Sequence, residues 1–267
     1  MRTLLDLDNN ERPRRRTALI AYELQKYDID IAALNETRFS DEGSITESGE
    51  GYTFFWKGLN EGAPRIHGVA FAVKTKLLNS IPHSPTGHNE RLISWRIPLT
   101  NSRYVTLVNV YAPTLDSDDE VKDRFYAQLN DIIQAIPRED KIILLGDFNA
   151  RVGSSHHLWE GVLGRHGVGK CNDNGLRLLT FCSQHHLTIT NTMLQLQNKF
   201  KTTWMHPRSK MWHLLDYVIV RRNDIKDVKL TRAMRGADGW TDHRLVRSIL
   251  HLKIRPPTRR QAPKKTP

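Results

Sequence analysis

Apolar residues follow two repeating patterns along the chain, and each pattern predicts one kind of element. Stripes spaced by three and four residues predict three helices, at 17–27 with Thr17 as the N-cap, at 121–136, and at 176–186. Many strands with few helices fit two packed sheets with helices outside them. Short apolar runs bounded by Gly, Pro, Asn and Ser predict these strands at 29–34, 52–57, 66–73, 91–97, 103–111, 142–145, 187–190, 202–206, 214–220, 227–234 and 245–252.

The apolar run at 142–145 leads directly into Gly146, Asp147 and Asn149. Four consecutive large apolar residues predict a strand that is buried on both faces. A carboxylate and a carboxamide at the mouth of such a strand are held rigidly but stay open to a ligand, which suits a hydrolytic or metal site. Gly-Asp-x-Asn is also good turn chemistry, because Asp and Asn bond their own backbone. This segment alone therefore leaves both interpretations open.

Chemically useful side chains also stand at or near the ends of other predicted strands. Carboxylates buried near one another cannot all stay charged without a cation, and hard oxygen ligands suit Mg²⁺. Each residue taken singly has an ordinary alternative as an exposed carboxylate, a packed aromatic, half of an ion pair or a core histidine. The residues are Glu36 after the strand at 29–34, Tyr111 at the end of 103–111, Asp216 within 214–220, and Asp242 and His243 before 245–252.

The charge balance points to a polyanionic partner. Lys and Arg number 40 against 29 Asp and Glu, which gives a net charge of +11 and favours nucleic acid first and an anionic membrane second. No apolar run approaches the ~18 residues of a membrane span, and the first residues contain no apolar signal core. With only Cys171 and Cys182, a reducing compartment is the simpler expectation. We therefore expect a nuclear or otherwise cytoplasmic protein that is not secreted and has no membrane partner.

Taken in order, the strand-end motifs resemble those of the endonuclease/exonuclease/phosphatase superfamily. Within it, the chain is similar to the apurinic-type endonuclease domain of non-LTR retrotransposons of the RTE/BovB kind, which the craniofacial development protein 2 group carries. The resemblance covers about residues 17–252. It rests on Asn-Glu-Thr-Arg at 35–38, Asn-Val-Tyr-Ala-Pro at 109–113, Gly-Asp-Phe-Asn at 146–149, Leu-Asp-Tyr at 215–217 and Thr-Asp-His-Arg at 241–244.

The resemblance implies an α/β fold, a four-layer α-β-β-α sandwich of the DNase I-like kind, and cleavage of a DNA phosphodiester with Mg²⁺ or Mn²⁺. No small-molecule cofactor is implied. Tyr111 would contact the scissile phosphate, and Asp216 would orient His243, which would act as a base or a charge stabiliser. Asp147 and Asn149 would position and activate the attacking water or the leaving oxygen. The implied metal ligands are Glu36, Asp147, Asn149, Asp242 and His243.

Five further residues are candidate DNA contacts. Trp204, Arg208 and Trp212 combine rings for base stacking with a charge for phosphates, although the tryptophans could equally serve the core. Arg165 and Lys170 belong to a Gly-rich segment at 153–175, which predicts a flexible surface loop able to touch DNA.

One departure from the family pattern bears on activity. The family's first strand usually carries an Asn that hydrogen-bonds the catalytic groups, and this sequence starts at Met1-Arg-Thr-Leu-Leu5. We expect that strand to be lacking, which leaves unpaired edge groups and slow cleavage. The domains predicted are a basic segment at 1–16, the enzyme-like domain at 17–252 and a disordered basic tail at 253–267. A catalytically weak binding module for nucleic acid or protein, and a phosphatase or RNA exonuclease, remain as alternatives.

Overall fold

Three helices and sixteen strands make up the computed structural model, which describes residues 4, 15–238 and 241–256. Most of the segment predicted at 1–16, and the tail predicted at 253–267 from residue 257 onward, lie outside the described residues. The helices are α1 (Arg16–Lys26), α2 (Asp119–Ala135) and α3 (Asp173–Gln184).

Eleven of the sixteen strands lie close to predicted runs, and the second, fifth, ninth, tenth and thirteenth were not predicted. They are β1 (Ile31–Asn35), β2 (Glu42–Glu47), β3 (Tyr52–Lys57), β4 (Val69–Lys74), β5 (Thr86–Asn89), β6 (Leu92–Pro98), β7 (Tyr104–Tyr111), β8 (Lys141–Asp147), β9 (Val152–Gly153), β10 (Val168–Cys171), β11 (Leu187–Ile189), β12 (Trp204–Met205), β13 (Trp212–His213), β14 (Asp216–Arg221), β15 (Val228–Met234) and β16 (Leu245–Leu250).

Two β layers are formed, one continuous and one divided. The continuous layer is a six-stranded sheet in the order β11-β14-β8-β7-β6-β5, in which β7 and β8 are parallel and the other pairs antiparallel. The divided layer consists of the four-stranded sheet β1-β4-β3-β2 and the two-stranded sheet β15-β16. Short pairs β9-β10 and β12-β13 lie outside both layers.

Three apolar clusters hold the layers together. The first joins the six-stranded sheet to α2 and α3, the second fills the space between the two β layers, and the third packs α1 on the outer side of the four-stranded sheet. The order is therefore helix, sheet, sheet, helix, which confirms the four-layer α/β sandwich expected from the sequence. In the middle, buried Asn109 on β7 donates to the carbonyls of Leu34 (3.0 Å) and Ala70 (2.8 Å), and so ties the continuous layer to β1 and β4.

A cavity of about 510 Å³ lies where the second layer is divided. Consecutive residues of β1 and of β16 line it, whereas β7 and β8 contribute alternate residues such as Leu107 and Ile143. Because successive side chains of a strand point to opposite faces, consecutive lining means that β1 and β16 present their edges to the cavity and β7 and β8 their faces. Among the described residues, no strand pairs with either of these edges.

Four details differ from the sequence predictions. Helix α1 begins at Arg16 after an Arg15 N-cap, and Thr17 instead donates from its hydroxyl to Glu47 at 2.5 Å. Strand β2 was not predicted, because its sequence Glu-Gly-Ser-Ile-Thr-Glu is largely polar and lies mostly at the surface. Asp216 starts its strand and does not lie inside it. The segment at 153–175 is not a simple loop, because it contains the end of β9, the buried residues Val162 and Leu163, all of β10 and the start of α3.

Candidate active site

The register of the six-stranded sheet places three predicted site residues in one row. Tyr111 at the end of β7 is the partner of Asp147 at the end of β8, and Asp147 is the partner of Asp216 at the start of β14. Side chains directly opposite each other in neighbouring strands have their Cβ atoms about 4.5–5.5 Å apart. The row lies at the edge of the sheet where β7 and β8 both end.

Gly146 permits the close approach of strands on which this row depends. It has φ +136°, and a Cβ built at this position would lie 2.0 Å from the carbonyl oxygen of Val110. Only glycine fits such a conformation and such a contact. The glycine before Asp147 is therefore required by the backbone, in addition to any part it has in turn chemistry.

The loop after β8 is held by its own polar groups. Asn149 has a left-handed backbone with φ 47°, its N–H donates to Asp147 Oδ1 at 2.8 Å, and its side-chain amide donates to the Ala112 carbonyl at 2.9 Å. The buried Tyr217 hydroxyl donates to the Ala150 carbonyl at 2.8 Å. The structure thus shows the turn chemistry of Gly-Asp-x-Asn, and the same bonds fix the Asp147 carboxylate, which lines the cavity.

His243 reaches this row from the divided layer, just before β16. Its Nδ1 lies 2.9 Å from Asp216 Oδ2, and its Nε2 lies 3.9 Å from Asp147 Oδ2. An Asp behind a histidine fixes the orientation and tautomer of the ring and stabilises its protonated form. Burial acts to lower the pKa of His243, but the charge and hydrogen bond of Asp216, with Asp147, raise it to about 9. The imidazole is therefore protonated at neutral pH.

Asp147 is a buried carboxylate that lies close to a second carboxylate. It is buried, and burial followed by the neighbouring Asp216 carboxylate raises the pKa of Asp147 above its ordinary value, although His243 opposes the shift. Asp147, Asp216 and His243 each offer one ligand atom within 4.8 Å of the others, and this is the one such cluster in the part of the chain that is described. A cation placed here would compensate the buried charge, and the carboxylate oxygens of Asp147 and Asp216 are donors that suit a hard divalent ion.

Glu36 and Tyr111 form a second, separate pair. The Tyr111 hydroxyl donates to Glu36 Oε1 at 2.6 Å, and burial together with this hydrogen bond raises the pKa of Tyr111. Glu36 has a left-handed φ of 59°, an uncommon conformation for a residue with a side chain. Glu36 lines the same cavity as Asp147 but is not within the three-residue cluster.

Asp242 directly precedes His243 in the chain, and the predicted tryptophans lie on the short β12-β13 hairpin. Trp204 pairs with His243 as an isolated bridge, and its ring N–H donates to Asp242 Oδ2 at 3.2 Å. Asp242 is therefore bonded to the hairpin and is not in the metal-competent cluster. The Arg244 guanidinium lies 3.3 Å from the centre of the Trp212 ring, so it covers one face of that ring. Arg208, in the hairpin loop, and Arg165 and Lys170 are exposed.

Arg91 and His67 are near the site but were not identified from the sequence. The Arg91 guanidinium lies 5.3 Å from the centre of the Tyr111 ring and donates to the Tyr111 carbonyl at 3.3 Å. Its Nη2 lies 2.9 Å from His67 Nε2, and burial followed by the charge of Arg91 lowers the pKa of His67. No local motif marks either residue, because the contacts join segments that are far apart in sequence.

Comparison with a family model, with curated proteins and with solved structures shows what this chain is similar to. The model of the family described as "Endonuclease/Exonuclease/phosphatase family" matches residues 5–243. Craniofacial development protein 2 of Bos taurus is 32% identical over 237 residues, which are 89% of this chain and 39% of the bovine protein. The same protein of Tragulus javanicus is 31% identical over 89% of this chain and 40% of its own length. The chain thus spans about two fifths of the length of these relatives.

Solved structures share the fold at lower identity. The catalytic domain of Xenopus laevis APE2 has a TM-score of 0.61 at 18% identity, with 89% of each chain covered. The Neisseria 3′ phosphatase NExo, bound to a product DNA hairpin, has a TM-score of 0.61 at 18% identity over 88% of this chain and 94% of its own. The endonuclease domain of TRAS1, a telomere-specific non-LTR retrotransposon, has a TM-score of 0.58 at 16% identity over 96% and 97%. These neighbours confirm the DNase I-like architecture.

Proposed function

Because the chain belongs to the endonuclease/exonuclease/phosphatase family, we propose that it is a metal-dependent nuclease that cleaves phosphodiester bonds within DNA. The observation that carries the proposal is the cluster of Asp147, Asp216 and His243 at the mouth of the cavity. A buried carboxylate can hold a cation that neutralises the anionic phosphodiester. A protonated imidazole beside it can donate a proton to the leaving oxygen. We further propose that the domain derives from a retrotransposon, which the likeness to the TRAS1 endonuclease domain supports.

The metal we propose is Mg²⁺, with Mn²⁺ as an alternative. Asp147 and Glu36, which line the same cavity, would hold it, since Mg²⁺ takes one or two carboxylates and keeps several waters. When bound, the ion supplies charge neutralisation of the phosphodiester and of the oxygens that develop charge. The Asp216 carboxylate is already engaged with His243 and serves the imidazole first.

The remaining side chains have roles that follow from their protonation and contacts. Protonated His243 can donate a proton or stabilise a phosphoryl oxygen, so its raised pKa favours these roles over that of a base. Tyr111, held on Glu36, places its phenol beside the same site and can bind the scissile phosphate. The Asn149 amide N–H donates to the Ala112 carbonyl and so fixes the loop that carries Asp147, and this bond does not use the side-chain oxygen of Asn149.

A nucleic-acid substrate is supported by the charge and by the hairpin beside the site. The net charge of +11 favours a polyanion, and exposed Arg208 and half-exposed Trp212 lie on the β12-β13 hairpin that also carries Trp204 against His243. Exposed Arg165 and Lys170 are proposed as further phosphate contacts. No described helix is both long and apolar enough to cross a membrane. We propose DNA as the partner and the nucleus as the compartment.

Nicking of supercoiled plasmid tests the enzyme directly. Wild type and a His243→Ala variant are incubated with Mg²⁺, with Mn²⁺ and with chelator. We expect open-circular product with wild type and metal, and none with chelator. The variant should be slower by about 10² to 10⁴, the range that a general acid or base contributes. Equal nicking by the variant, or nicking that persists in chelator, would reject this site as the catalytic centre.

A catalytically weak nucleic-acid or protein-binding module is the second candidate. The divided layer and the open cavity beside Asp147 and His243 favour it, because residues that are not supported on every side hold catalytic geometry less tightly. Salt-sensitive binding of DNA without nicking, measured by fluorescence anisotropy, would support the module. Release of phosphate from 3′-phosphorylated ends, or trimming of RNA without plasmid nicking, would instead identify a phosphatase or an RNA exonuclease.

A further inference from the structure

A fully buried threonine stands between the two members of the histidine–aspartate pair. Thr203 is 0% exposed and precedes Trp204, the first residue of β12. No role was predicted for it from the sequence. Its contacts, however, reach the backbone of both segments that carry the pair.

On one side Thr203 fixes the start of β14. Its hydroxyl oxygen accepts hydrogen bonds from the backbone N–H of Leu215 at 3.0 Å and from that of Asp216 at 3.2 Å. A hydroxyl oxygen has two acceptor lone pairs, and these two bonds use both. The Asp216 carbonyl accepts from the Asn191 side-chain amide at 3.1 Å, so the backbone of Asp216 is held at both its N–H and its C=O.

On the other side Thr203 fixes the segment that carries the imidazole. Its carbonyl accepts from the Arg244 N–H at 2.7 Å, and the following residue, Trp204, forms the antiparallel bridge with His243. Its own N–H donates to the His213 carbonyl at 2.7 Å, which anchors it to β13. One residue therefore links a strand of the continuous layer, the hairpin and the start of β16.

We propose that Thr203 is a positioning residue that sets the contact between His243 Nδ1 and Asp216 Oδ2. This inference rests on the proposed function for its catalytic consequence, but the contact itself exists apart from any reaction. Removing the hydroxyl leaves two buried N–H groups without an acceptor, and the start of β14 must move to find new ones. Because β14 carries Asp216 and the Thr203 carbonyl holds the other segment, such a movement changes the distance between carboxylate and imidazole directly.

The test uses substitutions that separate the hydroxyl from the side-chain volume. Thr203→Val keeps the shape and removes the oxygen, Thr203→Ser keeps the oxygen and removes the methyl, and Thr203→Ala is a second variant without the oxygen in case the valine chain does not fold. Thr192→Val is the matched control. Thr192 is also 0% exposed, and its hydroxyl accepts the Gly164 N–H at 2.8 Å and donates to the Ile189 carbonyl at 2.8 Å, so this hydroxyl bonds neither His243 nor Asp216.

Two readouts are measured on the whole chain. The first is the downfield proton resonance of the imidazole N–H that faces Asp216, assigned by its loss in His243→Ala. The second is the steady-state nicking of plasmid, as separate kcat and KM. We expect Thr203→Val to lose or broaden the resonance and to lower kcat about tenfold to 100-fold with KM nearly unchanged, since small misplacement of reacting groups has that effect. Thr203→Ser should restore both readouts, and Thr192→Val should resemble wild type.

Three results would overturn the proposal. A valine variant with normal resonance and normal kcat would show that the hydroxyl does not set the contact. A serine variant as impaired as valine would assign the effect to the methyl group, and an equal loss in Thr192→Val would assign it to general loss of stability. If wild type shows the resonance but nicks nothing, the proposed function fails while the role of Thr203 is still decided by the resonance alone.

Discussion

The two β layers of this protein supply the candidate site in different ways. The continuous six-stranded layer delivers Tyr111, Asp147 and Asp216 as neighbours in register, so their spacing follows from strand pairing alone. In the divided layer, Glu36 directly follows β1 and His243 lies just before β16, and both line the cavity.

This difference shows which parts of the site depend on the fold and which on local supports. Residues on the continuous layer keep their spacing as long as the sheet exists. Those on the divided layer need additional contacts, such as the hydrogen bond of Glu36 with Tyr111 and that of His243 with Asp216. Perturbing the two layers separately should therefore have unequal effects.

The largest effect is expected from the carboxylate that joins the layers. Asp216→Asn should lower kcat about 10³- to 10⁴-fold, because an uncharged amide no longer stabilises the protonated imidazole. Plasmid nicking with saturating Mg²⁺ measures it. Asp242→Asn is the matched control, since that carboxylate is bonded to Trp204 and not to the imidazole, and it should cost far less. Equal losses in both variants would show that the register row has no special part in the site.

A smaller effect, on stability, should distinguish the layers themselves. Val108→Ala in β7 removes a side chain that is 0% exposed, and we expect a loss of about 2–3 kcal/mol in the free energy of unfolding. Val246→Ala in β16 removes a partly buried side chain beside the cavity and should cost about 1 kcal/mol. Urea denaturation of both variants provides the comparison. A larger loss at Val246 would mean that the divided layer is the more tightly packed one.

The smallest effect is a pH dependence of stability in the metal-free protein. The folded-state pKa of His243, about 9, lies above its ordinary value of 6.5, so its contribution is complete below pH 6.5 and is lost as the pH rises through 9. The pKa of Asp147 is also raised in the folded protein. The stability that Asp147 contributes is therefore lost as the pH rises from 3.8, its ordinary pKa, through its folded-state pKa. Both groups make the chelated protein less stable as the pH rises.

Thermal unfolding in chelator at about pH 5 to 9 checks this sign, and His243→Gln serves as the control that lacks the imidazole. Over this pH range the Tm of wild type should fall by a few degrees more than the Tm of the variant. A loss of ~1 kcal/mol shifts the Tm of a domain of this size by that amount. Added Mg²⁺ should stabilise most at the alkaline end, where protons no longer compete for the carboxylates. Parallel curves for wild type and variant would contradict the assigned protonation.

Much of the fold followed from local pattern, because buried strands such as β8 have continuous apolar runs and α2 has a clear stripe. Strand β2 was not found because it lies at the edge of its sheet and is half polar. The predicted site residues came from motif order, and the resemblance also predicted that Asp216 orients His243. Sequence could not show that Asp147 lies beside this pair while Asp242 is bonded to Trp204, because that depends on strand register. Thr203 and Arg91 act through contacts that no local motif records.

The cavity between β1 and β16 has a thermodynamic consequence for the site. Asn35, Asp147 and His243 line one continuous space, and the Asn35 side-chain oxygen has no hydrogen-bond partner among the described residues. A molecule or chain segment that fills this space therefore touches Asp147 and Glu36, the carboxylates that would hold the metal. By linkage, whatever factor such an occupant applies to the affinity for the metal, the metal must apply to the affinity for the occupant. Filling the gap and loading the site are in this way a single coupled equilibrium.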